Sequence, residues 1–141
     1  MQDDGSGAEH PDCSAAVERV QAHLDAEPRD GDWLEELAAR AGALRATLVK
    51  HYELEEQGPL YNGIPQRHPR FTRKLSRLVE EHDEILRSLD AVVSGAGETA
   101  PEDTAEVELR AGVVLARIRR HEAEEIEIVL NARWDDLAPG T

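Results

Sequence analysis

The chain has 141 residues, enough for one domain with a real core and too few for two. Its 30 acidic residues outnumber 16 basic ones for a net charge of −14, a field that repels nucleic-acid phosphates and suits cations. Aromatics are 4% and Cys13 is the one cysteine, so the core is built from Leu, Val, Ile and Ala and no intramolecular disulfide framework exists.

The opening MQDDGSGAEH carries neither the basic region nor the apolar run of a signal peptide. No stretch of about 18 apolar residues follows. The expectation is a cytoplasmic protein that neither spans a membrane nor binds nucleic acid. Residues 1–9, polar and Gly-rich, read as a loose tail.

A first helical segment then carries Cys13, Val17, Val20 and Leu24 at alternating three- and four-residue steps, up to a break at Glu27–Asp32. The second repeats Leu34, Leu37, Ala41, Leu44 and Leu48, with Asp32 as its expected cap and Glu35 completing a capping box. A break rich in Gly and Pro runs from Gly58 to Pro69. The third segment carries Phe71, Leu75, Leu78, Ile85, Leu89 and Val92 and is expected to stop at the Ser94–Pro101 break. The fourth carries Val107, Ala111, Val114, Ile118 and Ile128. Four amphipathic segments with short links predict an all-α, antiparallel up-down four-helix bundle over residues 10–135, with 136–141 as a tail.

Polar residues interrupt these stripes where apolar ones are due. Stepping on from Leu48 lands on His51 and Glu55. His82 fills the gap between Leu78 and Ile85, and His121 and Glu125 lie between Ile118 and Ile128. Residues four apart share a helix face. A buried carboxylate or imidazole without a partner costs several kcal/mol, so inward polar groups on three helices point to a shared partner, and a metal ion satisfies such a set.

The first helix offers His10 and His23. His23 lies next to the Pro28 turn and His51 about twenty residues beyond it, an offset of roughly 20 Å in a hairpin. His10 lies nearly as far before the turn as His51 lies after it, so His10 is favoured as ligand and His23 reads as a packing or solvated histidine. For the last two helices, His82 lies 11 residues before Val93 and His121 17 after Thr104. That leaves a mismatch of roughly 9 Å if the third helix ends near Val93.

These residues resemble the hemerythrin-like family, the HHE cation-binding domain, whose pattern is His, His-x-x-x-Glu, His, His-x-x-x-Glu, one element per helix. Here it reads His10, His51 with Glu55, His82, and His121 with Glu125. The stretches from His51 to Glu56, followed by Leu60 and Tyr61, and from His121 to Glu125 carry the likeness, as does the Glu81-His82 pair. The position four after His82 is Leu86, where hemerythrins proper have a second histidine. The resemblance implies a non-heme centre, two irons or another divalent metal, with Glu55 and Glu125 bridging and the histidines capping each end. It implies O2, NO or peroxide as the small-molecule partner, or iron storage. A peroxide-decomposing or oxidase enzyme is the second reading, and a metal-free helical interaction module the third. Cys13 reads as a small core residue, Tyr52 and Tyr61 as packing residues in preference to substitute oxygen ligands near the site, Trp33 and Trp134 as helix-end anchors, and His68 as a solvated loop residue.

Overall fold

The computed structural model describes the backbone of residues 5–27 and 29–137, and the side chains of residues 13–27 and 29–137. Helix α1 spans Gly5–Leu24 and α2 Gly31–Gln57. A π turn at Pro59–Gly63, the short helix α3 (Ile64–Arg67) and a 3-10 turn at Pro69–Phe71 follow. Helix α4 spans Thr72–Glu98, and a 3-10 turn at Pro101–Asp103 leads into α5, Thr104–Leu137. No strand occurs among the described residues. The four long helices form a closed ring of contacts: α1 with α2, α2 with α4, α4 with α5, and α5 with α1. Among the described residues, no helix is long and apolar enough to cross a membrane.

The stripes predicted from the sequence are buried on all four helices, from Cys13 to Leu24, Leu34 to Leu48, Phe71 to Val92, and Val107 to Ile128. Burying one apolar face per helix is the main force holding such a bundle together. The cap of α2 differs from expectation. Asp30, in extended conformation, accepts the Trp33 amide at 2.9 Å, and Gly31 begins the helix. Asp32 instead sits in the first turn, where its charge favours the helix N-terminus.

The third break also behaves differently. Helix α4 does not stop near Val93 but continues through Gly95 and Gly97 to Glu98. Each glycine costs a helix about 1 kcal/mol relative to alanine. Burial of Val92 and Ala96 against the core offsets that cost. The extension equalises the two arms: 16 residues separate His82 from Glu98, and 17 separate Thr104 from His121. The expected mismatch of helix lengths is thereby removed.

Buried apolar residues form two separate clusters. The larger holds Leu48, Ile85 and Ile118 among its members, and the smaller holds Ile64, Phe71, Leu75, Leu78 and Ile128. His51, His82, His121 and Glu125, all buried, lie between them along the helix seams. The polar layer thus divides the core.

His23 is a packing histidine. Its Nε2 lies 2.7 Å from the Trp33 carbonyl and donates to it, the Trp33 indole N–H donates to the His23 carbonyl at 2.9 Å, and the rings stack at 5.1 Å. This lock joins the end of α1 to the start of α2, so Trp33 is the anchor expected of it. Trp134 is not, being 71% exposed. Nor is His68 solvated: its Nε2 lies 2.8 Å from Asp136 Oδ1, tying the α2–α4 connection to the end of α5.

The lock gives a stability prediction. His23→Ala leaves the Trp33 carbonyl without its donor and removes the stack, which lowers unfolding free energy by about 1–3 kcal/mol. Chemical denaturation of the variant beside the wild type measures it, and unchanged stability would contradict the assigned role.

Candidate metal centre

Three helices supply the polar layer, each through residues on its buried seam. Glu55, His82, His121 and Glu125 each offer a ligand atom within 4.8 Å of all the others. His121 Nε2 lies 3.1 Å from Glu125 Oε2, and His82 Nε2 lies 3.6 Å from that same oxygen and 3.7 Å from Glu55 Oε1. His51 stands outside this group of four. It joins through Glu55, whose Oε2 lies 3.1 Å from His51 Nε2. Glu55 turns one oxygen to His51 and the other to His82. His10, the expected first-helix donor, lies in α1, but its side chain is outside the described residues.

Two imidazoles are oriented from behind. His82 Nδ1 lies 2.6 Å from Glu56 Oε2, and His121 Nδ1 lies 2.7 Å from Glu81 Oε1. A carboxylate accepts, so each Nδ1 carries the proton and each Nε2 faces the centre. This is how metal-binding histidines are fixed in one tautomer. The residue pattern assigns no such role to Glu56 and Glu81. Among 30 acidic residues, only their adjacency to Glu55 and His82 marked them.

Two tyrosines enclose the layer. The Tyr52 ring stacks on His82 at 3.8 Å between centroids. Tyr61, on the π turn, donates its hydroxyl to Glu125 Oε2 at 2.6 Å. Tyr61 therefore does more than pack. Burial and the Glu125 charge push both phenols above their ordinary range, so both remain protonated.

The charges are arranged unevenly. Burial pushes Glu55 up to about 7, helped by the neighbouring Glu125 carboxylate and opposed by His51. Burial acts on Glu125 in the same direction, but the hydrogen bond from His121 and the nearby His82 imidazole outweigh it and hold Glu125 below the usual carboxylate range. Burial would lower His51, yet hydrogen bonds with Cys13 and Glu55 raise it to about 10. His121 is likewise raised, by Glu125 and Glu81 against the opposing effect of burial. Glu81 is lowered, because His121, Arg117 and Arg120 outweigh its partial burial.

The residues fit a metal cation. Glu55 Oε1 and His82 Nε2 are buried without a hydrogen-bond partner among the described residues. Orphaned acceptors of this kind cost free energy unless something satisfies them. A cation among two carboxylates and two imidazoles does so, and the outer carboxylates complete the arrangement.

Comparison with protein families agrees. The family model of the hemerythrin HHE cation-binding domain matches residues 7–132. No curated protein and no solved structure matches the chain. The match covers most of the sequence, and the chain belongs to the hemerythrin HHE cation-binding family.

Loading a cation must displace protons, because ligands bind deprotonated. Metal-free His51 holds its proton up to about pH 10 and Glu55 to about pH 7. Apparent metal affinity therefore rises as pH increases from 6 to 8, and binding at pH 7 releases protons. Titration calorimetry in two buffers of different ionisation enthalpy reads this as different heats; identical heats would contradict it.

Proposed function

We propose that this hemerythrin-family chain, its four long helices running up and down in antiparallel order, holds a non-heme di-iron centre. It uses the centre to bind or sense O2, NO or peroxide, or to hold iron. The observation that carries this reading is the double aspect of Glu55, with Oε2 toward His51 and Oε1 toward His82. A carboxylate so placed suits two cations side by side. His51 and His10 would hold one, His82 and His121 the other, with Glu55 and Glu125 shared between them. A mixed imidazole and carboxylate set suits iron.

Iron held by these residues would supply binding of, and electron transfer toward, a diatomic molecule or peroxide. The chain's own residues set the conditions. Leu86, packed against the larger apolar cluster, stands where a further histidine would add a nitrogen, which favours an open position. The apolar clusters on either side limit water. Tyr61 holds a hydroxyl proton at Glu125, and Tyr52 covers the face of His82.

The Tyr61 hydroxyl favours one alternative. Peroxide decomposition gains from a hydrogen-bond donor beside the centre, and the Tyr61 hydroxyl is placed to be one. Catalytic consumption of peroxide by the iron-loaded protein, reduced in Tyr61→Phe, would move the assignment from binding protein to enzyme.

Metal analysis tests the main reading. Wild type is expected to hold about two irons per chain, since a mixed imidazole and carboxylate set suits iron. His121→Ala abolishes stoichiometric iron, His10→Ala loses part, and His23→Ala loses none. The reverse order for His10 and His23 would overturn the first-helix assignment.

A further inference from the structure

Six of the seven large hydrophobic side chains exposed among the described residues lie on α5: Leu109, Val113, Ile126, Leu130, Trp134 and Leu137. They do not scatter. The core seam of α5 runs from Val107 to Ala132 in steps of three and four. A second seam runs beside it on the outer surface, through Leu109, Gly112, Ala116, Arg119, Ala123, Ile126 and Leu130 to Trp134 and Leu137. Its steps are also three and four, the spacing of a helix that packs against another helix along its length. From Leu109 to Leu137 this seam is about 42 Å long. A helix with two such seams has a second face to cover.

The outer seam is unequal along its length. Its first half is small at Gly112 and Ala116, and its second half is large at Leu130 and Trp134. Among the described residues, a Cβ at Gly112 would meet nothing within 4 Å, so close packing there does not call for glycine. It borders a groove lined by Leu24 of α1 and by Leu109, Val113 and Ala116 of α5. A helical glycine costs about 1 kcal/mol relative to alanine.

We propose that this face binds a second copy of the chain, α5 against α5 in antiparallel order about a two-fold axis at Ala123. In that register Leu109 meets the partner's Leu137, Gly112 meets the partner's Trp134, and Ala116 meets the partner's Leu130. Each small position receives a large one, and Trp134 fills the hollow over Gly112. The charges match as well: Arg119 meets the partner's Glu127, twice by symmetry. Among the described residues of the single chain, Arg119 reaches Gln21 at 3.1 Å and Glu18 at 3.5 Å, and Glu127 reaches Lys74 at 3.7 Å. All are side chains at the surface, so exchanging them for a symmetric partner exposes no buried charge. An isologous contact of this kind closes on itself and forms a dimer, not a filament.

Sedimentation velocity of the full chain tests it, with circular dichroism confirming helix content. Wild type sediments as a dimer. Trp134→Ala weakens association at least tenfold, and so does Gly112→Leu, although leucine is the better helix former. Arg119→Glu and Glu127→Arg each weaken self-association, because like charges then meet across the axis. Mixing the two variants in equal amounts restores the dimer, since every pair in the mixed dimer is again of opposite sign. A wild type that stays monomeric up to millimolar concentration, or a mixture that fails to restore association, would overturn the proposal.

Discussion

Three imidazoles and two carboxylates taken into a bundle of Leu, Ile, Val and Ala set the terms for the rest of this structure. An apolar core tolerates such groups only when each is satisfied, since an unpaired one costs several kcal/mol. The polar layer therefore divides the hydrophobic residues into two clusters instead of merely adding to one core. It also recruits help from outside the seams. Glu56 and Glu81 hold the far nitrogens of His82 and His121, and Tyr61 reaches in from the connection between α2 and α4 to hold Glu125. Among the described residues, Glu55 Oε1 and His82 Nε2 lack a hydrogen-bond partner and lie at the centre.

Bringing the layer into one plane is a matter of helix length. His82 and His121 meet because α4 carries on to Glu98, which gives the two helices nearly equal arms from the turn between them. Packing of Val92 and Ala96 holds the glycine-containing end in helical form. At the other end of the molecule the His23–Trp33 lock fixes where α1 gives way to α2. Local features far from the centre thus determine whether its donors converge.

Much of this was legible in the residue pattern. The apolar seams were readable because burial of one helix face imposes a period that composition alone does not. The polar members of those seams stood out for the same reason: His51, Glu55, His82, His121 and Glu125 occupy positions the neighbouring hydrophobics define. Features outside the period were not readable. Whether Gly95 and Gly97 end a helix depends on what Ala96 packs against, which is a tertiary fact. The cap of α2 fell to Asp30 and not Asp32, a two-residue ambiguity among three aspartate and glycine neighbours. Tyr61 lies in a stretch of Gly and Pro where no periodicity exists, so its bond to Glu125 had no signature. Glu56 and Glu81 were hidden by the abundance of acidic residues.

The most direct measurement is anomalous diffraction at the iron edge from crystals of the iron-loaded protein. The account predicts two adjacent peaks in the polar layer, one by His51 and Glu55 and the other among His82, His121 and Glu125. Iron bound at the surface carboxylates with none in that layer would contradict it.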